Sequence, residues 1–227
     1  MDNGDALGNN GAVELRRVKV WDLVVRATHA SWPVLVAGGI LTSGRQASER
    51  LHVRLGLVLL GVVVLRVAWG FVGSRHARFS EFVRPPREVL AAARQWVRAE
   101  PHHIVGHNPL GGLMALTLLA VMAATCVTGV LIALEGRAPA TGLVARVHAS
   151  SALVLPVLII IHVVGALFSS ALEQQNLVLG MVTGWKRAPV DAALEREPSA
   201  LGRLAGFAGA AALAIGVTAW LWRRLGA

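Results

Sequence analysis

From Thr141 to Ser170 the chain reads TGLVARVHASSALVLPVLIIIHVVGALFSS, a run long and apolar enough to cross a bilayer as one helix. Such a run leaves few folds open, because in hydrocarbon the backbone must satisfy its own hydrogen bonds as a helix or in a closed barrel. No alternating pattern of barrel-strand length is present. Comparable runs cover approximately Trp21 to Thr42, His52 to Val72 and Pro109 to Leu134, and a fifth covers Leu204 to Trp222. The expected fold is an all-α transmembrane helical bundle, with a four-helix core and a fifth C-terminal span. Composition agrees: 55% of the 227 residues are hydrophobic, 15% are charged and the mean hydropathy is +0.58, more apolar surface than one small soluble core can bury.

The formal charge of +9 does not indicate nucleic acid, because the arginines flank apolar spans instead of forming a soluble basic module. Membrane lipid is the partner they imply. The loop between the second and third spans carries Arg75, Arg78, Arg84, Arg87, Arg94 and Arg98, which places it in the cytoplasm together with Arg16, Arg17, Lys19, Lys186 and Arg187. Arg223 and Arg224 then fall outside, against that rule. The polar, glycine-rich residues 1–17 read as a disordered cytoplasmic tail, 18–187 as the core domain, 188–203 as a linker and 204–222 as the extra span. In the basic loop, Pro85-Pro86 opens an amphipathic helix bearing Val89, Leu90, Ala93, Trp96 and Val97 that would lie on the membrane surface. The single cysteine, Cys126, reads as packing.

Eight histidines separate into two groups. His76, His102, His103 and His107 lie in or beside the basic loop, where solvated or capping roles suffice. His29, His52, His148 and His162 lie within the spans, where a polar ring is costly without a partner. His148 and His162 are fourteen positions apart, so on one helix they share a face to within about 40° and differ in depth by about 21 Å. With the N-terminus inside, chain direction pairs His52 with His148 near the outer leaflet and His29 with His162 near the inner one.

Two histidines at each of two levels suit axial ligation of two b-type haems. No Cys-x-x-Cys-His is present for covalent attachment. A histidine-lined transition-metal transporter is the chemical rival, although such sites gather three or four ligands at one level. Arg26, Arg54 and Arg146 stand within three residues of His29, His52 and His148, where they would balance haem propionates or merely snorkel to the interface. Arg66 lies fourteen beyond His52, on its face at the inner level, where it would face the inner haem. Gly56, Ala152 and Gly165 follow the histidines by about one turn, where small side chains admit a flat macrocycle or close helix packing. Arg66, Trp69 and Phe71 are candidates to line a quinone site, with an interfacial aromatic belt as the other reading. Paired carboxylates in a polar segment, a nucleophile elbow and a phosphate loop are all missing, which disfavours a soluble enzyme. A haem-independent membrane anchor remains the structural alternative.

The strings VWDLVVRATHASW at 20–32, HVRLGLVLLGVVVLRVAWGFVGSRHARFSEFV at 52–83, GHNPLGG at 106–112 and NLVLGMVTGWKR at 176–187, with the histidines on the first, second and fourth spans, carry a further reading. In that order they resemble the bacterial di-haem membrane cytochrome b family that includes the nickel-iron hydrogenase cytochrome subunits. The resemblance covers about residues 20–187. It implies a four-helix haem-binding core, bis-histidine ligation by His29, His52, His148 and His162, and electron exchange among a periplasmic or membrane redox protein, two haems and the quinone pool of a bacterial inner membrane. The fifth span and the polar tail depart from the family's simplest pattern.

Overall fold

A computed structural model describes residues 15–100, 105–135, 142–189 and 198–227. Most of the expected tail, His102, His103 and the middle of the expected linker lie outside the described residues. In chain order the elements are β1 (Leu15–Lys19), α1 (Leu23–Thr42), α2 (Glu49–Val72), α3 (Phe79–Phe82), α4 (Pro86–Val97), α5 (Pro109–Glu135), α6 (Leu143–Leu172), α7 (Leu177–Thr183), β2 (Trp185–Pro189) and α8 (Ala200–Leu225). Helices α1, α2, α5, α6 and α8 are each long and apolar enough to cross a membrane. The fifth expected helix is therefore present with the length and apolarity of a span, and it is longer at both ends than the apolar run alone suggested.

Neighbouring spans run antiparallel. Gly39 near the end of α1 meets His52 near the start of α2, Thr125 of α5 meets His148 of α6, and Gly206 of α8 packs on Val72 at the end of α2. The core lies between α2 and α5, where Leu57 is 1% exposed and packs with Leu60, Val63, Leu118, Met122 and Leu155. Cys126 is buried in the same cluster, as its apolar surroundings implied. Leu153, Val157, Ile160 and Val164 of α6 remain exposed, an arrangement stable only where lipid is the solvent.

A small two-stranded antiparallel sheet of β1 and β2 accompanies the all-α bundle, and it takes in residues 15–17 of the expected tail. Neither LRRVK nor WKRAP signals a strand by itself; each supplies the other's backbone partners. Next to the sheet, the amides of Val20 and Trp21 donate to the Gly184 carbonyl at 2.8 and 3.1 Å. Gly184 has φ +88°, and a Cβ there would lie 2.6 Å from the Trp21 carbonyl oxygen, so only glycine fits. The sheet marks one end of the bundle, called below the sheet end; the opposite end carries the α1–α2 turn and the C-terminus of α8.

Two of the strings that carried the resemblance, at 106–112 and 176–187, contain helix starts. Asn108 accepts from the Gly111 amide at 2.6 Å ahead of Pro109, a capping residue followed by a proline suited to the first turn. A Cβ on Gly112 would lie 2.5 Å from the Phe82 carbonyl oxygen, so α5 starts pressed against the end of α3. Asn176 caps α7 through Leu179 at 2.7 Å. The amphipathic α4 forms as expected, but instead of lying wholly on lipid it docks on α6, with Trp96 against Phe168 at 4.5 Å and its Nε1 donating to Ser169 at 3.3 Å.

Candidate functional site

The two histidines at the far end are held by the same device. The Nδ1 of His52 lies 2.9 Å from the Gly39 carbonyl oxygen and the Nδ1 of His148 lies 2.9 Å from that of Thr125. A ring nitrogen facing a carbonyl must carry the proton, which leaves each Nε2 lone pair free to bind a metal. A threonine three residues after each carbonyl approaches the same nitrogen: Thr42 and Thr128, both at 3.4 Å. Those hydroxyls donate back to the Gly38 and Ala124 carbonyls, at 2.7 and 2.6 Å. Gly129 makes the room, since a Cβ there would lie 2.9 Å from Cε1 of His148.

The His52 and His148 rings face each other with centroids 6.2 Å apart, and at the sheet end His29 and His162 do so at 6.1 Å. A metal–imidazole bond of about 2 Å plus roughly 1 Å from that nitrogen to the ring centre, doubled, gives about 6 Å. Both spacings therefore fit two imidazoles on opposite sides of one metal. Arg26 Nε and Trp32 Nε1, about one turn before and after His29, are buried without a hydrogen-bond partner among the described residues. Buried donors are nearly always bonded, and the carboxylates of a porphyrin held at His29 would accept from both. A Cβ on Gly56, one turn beyond His52, would meet nothing within 4 Å, and the same holds at Gly165 beyond His162. The donor set and its surroundings fit haem.

The other expected residues separate. Arg54 is exposed and its guanidinium lies over the Trp222 ring of α8 at 5.9 Å, so its partner comes from the fifth span. Arg146 is exposed at the far end. Arg66 is 6% exposed at the sheet end, donating to the Ala77 carbonyl at 3.3 Å and lying over Phe79 at 5.8 Å. The expected quinone lining of Arg66, Trp69 and Phe71 does not form one surface. Trp69 is 3% exposed and Phe71 is 69% exposed, because two positions on a helix are about 200° apart.

Three sheet-end features were not legible as such. Asp22 caps α1 through the Val25 amide at 2.9 Å, and its other oxygen accepts from Trp69 Nε1 at 2.9 Å and from the Ser74 hydroxyl. Lys186, expected as a surface charge, is buried against Glu173 at 3.6 Å. Burial pulls its ammonium below the usual lysine value while Glu173 opposes that shift. His107, grouped with the loop histidines, is instead packed between Trp21 and Phe82, each at 4.7 Å, with Nδ1 closed off and unpartnered among the described residues.

Burial, reinforced by the charges of Arg66 and Lys186 and by His162 and His76, drives the His107 pKa from 6.5 down to about 3. Above pH 7 both folded and unfolded chains carry a neutral ring and the group is silent. Below about 6.5 the unfolded chain takes a proton that the folded one refuses until about pH 3, so stability falls across that window. His107→Phe keeps the stack and removes the titration. Relative to that variant, the parent protein is expected to lose up to about 1.4 kcal/mol per pH unit below 6.5, read from unfolding midpoints at pH 7.5 and pH 5.

The family model described as prokaryotic cytochrome b561 matches residues 20–184. Among curated proteins, the chain is 31% identical over 159 residues to a probable Ni/Fe-hydrogenase B-type cytochrome subunit of Azotobacter vinelandii, covering 60% of this chain and 66% of that one. It is 26% identical over 157 residues to a protein of the same description from Bradyrhizobium diazoefficiens, covering 59% and 64%. The chain thus spans just under two thirds of the length of these relatives. No solved structure matches it.

Proposed function

The chain belongs to the prokaryotic cytochrome b561 family, and from that premise we propose that it is a di-haem b-type cytochrome carrying electrons across the bacterial inner membrane between a partner redox protein and the quinone pool. The observation that carries this reading is the pair of facing histidine couples, at 6.2 and 6.1 Å, separated by about 21 Å along α6. His52 with His148 and His29 with His162 would each hold one haem. When bound, haem iron supplies reversible one-electron oxidation and reduction.

The chain's own residues supply the rest. Gly39 and Thr125 fix the ring tautomers and orientations at the far end; Arg26 and Trp32 offer donors to carboxylates at the sheet end. The apolar helices exclude water, which holds each site at low dielectric. Arg16, Arg17, Lys19, Arg75, Arg78 and Arg84 gather at the sheet end and support a cytoplasmic N-terminus, with the His52–His148 couple toward the outside. The printed names of the relatives support a partner of the hydrogenase class, and a c-type cytochrome is the other candidate of the same chemistry.

A transition-metal transporter finds less support, since among the described residues no three His, Cys, Asp or Glu side chains converge on one point. The reading is tested by pyridine haemochrome quantitation with a redox titration of the purified protein. About two b-type haems per chain and two midpoint potentials are expected. A spectrum without b-type bands returns the chain to the metal-transport or haem-independent anchor readings, and one haem per chain sinks the transmembrane relay.

A further inference from the structure

Helix α8 lies beyond the part of the chain that the family model matches, and it does not pack flush on α2. Between them runs a cleft of about 570 Å³, within the range of clefts that hold small ligands, roughly 300–1,000 Å³. Val58, Val62 and Leu65 form one wall, and Ala211 and Ile215 the other. Its floor is the close approach of Thr218 to Gly61, where a Cβ would lie 2.6 Å from the hydroxyl. That hydroxyl is buried and has no hydrogen-bond partner among the described residues.

Two features choose the occupant. From Ala211 to Arg223 the cleft runs twelve residues, about 18 Å, close to the roughly 15 Å that one leaflet contributes to the hydrocarbon core. A transmembrane partner helix would need apolar contact across about 30 Å. At the far end the cleft closes on Arg223, with Arg54 over Trp222 at 5.9 Å and Arg224 over Trp220 at 5.7 Å. All three guanidiniums are exposed, and among the described residues none pairs with a carboxylate. We propose that this cleft binds one anionic phospholipid of the leaflet at the far end, an acyl chain lying between α2 and α8 and the phosphate held by Arg223 and Arg54. Phosphate there offsets the charge that Arg223 and Arg224 place at the end opposite the more basic sheet end. The tryptophans on α8 sit where aromatic rings anchor at a headgroup layer.

The test is native mass spectrometry of the full chain released from bilayers containing phosphatidylglycerol or phosphatidylcholine. One retained phosphatidylglycerol is expected in preference to phosphatidylcholine. Arg223→Gln and Arg54→Gln, both at exposed positions, are each expected to weaken that preference about five-fold. Ala219→Trp, which fills the cleft from its exposed rim, is expected to abolish retention of either lipid while haem content stays unchanged. Equal retention of the two lipids, or retention that Ala219→Trp leaves intact, overturns the proposal. So does a dimer of the parent protein that Ala219→Trp turns into a monomer, which would make a second copy the occupant.

Discussion

Purified His148→Ala protein is expected to carry about one haem per chain where the parent carries about two, and to have lost electron transfer from one membrane face to the other. His148 and His52 stand 6.2 Å apart with each Nδ1 committed to a backbone carbonyl, so on the proposed reading losing one ring takes away half of the histidine pair that would hold the far haem. The His29–His162 couple lies about 21 Å away along α6 and keeps its own contacts. One haem should therefore survive, which separates loss of a ligand from general misfolding. Gly129→Val extends the test without replacing a histidine. Its Cβ would lie 2.9 Å from His148 Cε1 and 3.3 Å from Nδ1, displacing the ring from the Thr125 carbonyl, and a loss of about 10–100-fold in affinity for the far haem is expected. Haem titration of the stripped variant reads this directly. A His148→Ala protein that retains both haems would remove His148 from the ligand set.

The large elements were legible because a bilayer imposes them. A span must be apolar for its whole length, so Thr141 to Ser170 and Leu204 to Trp222 announce helices whatever they pack against, and α6 and α8 occupy those stretches. Helical periodicity put His148 and His162 on one face, and the alternating direction of the spans brought His52 toward the first and His29 toward the second. What stayed hidden was set by partners distant in the chain. His107 sits in a polar string, and only Trp21 and Phe82, from two other segments, make it an interior residue. Lys186 reads as one more cytoplasmic charge until the end of α6 presents Glu173 to it. Arg54 reads equally as a propionate partner or a snorkelling cation, and only the packing of α8 against α2 puts Trp222 under its guanidinium. Arg66, Trp69 and Phe71 read as a quinone lining or an interfacial aromatic belt, and helix geometry sends Trp69 and Phe71 to opposite sides.

Asp22 shows the same limit with the larger energetic consequence. Within the sequence it is a lone acid in a basic stretch, and nothing there marks its partners. Folded, it joins three segments: Oδ1 accepts from the Val25 amide, while Oδ2 accepts from Trp69 Nε1 and the Ser74 hydroxyl, 47 and 52 residues away. Asp22→Ala removes a cap worth about 1 kcal/mol and leaves two buried donors unsatisfied at about 1–3 kcal/mol each, so a loss of roughly 3–7 kcal/mol is expected in detergent unfolding. Asp22→Asn keeps the capping oxygen but turns an amide donor toward Trp69 and Ser74, and should cost less than alanine, about 1–3 kcal/mol. Adding Trp69→Phe to Asp22→Ala removes one orphaned donor, so the double variant should be more stable than the two separate losses predict. Strict additivity would mean that the Trp69 bond contributes nothing. Because Asp22 also sets the start of α1, two turns before His29, the near couple shares in the damage: Asp22→Ala should lower the haem content at His29 and His162 while the far couple keeps its own.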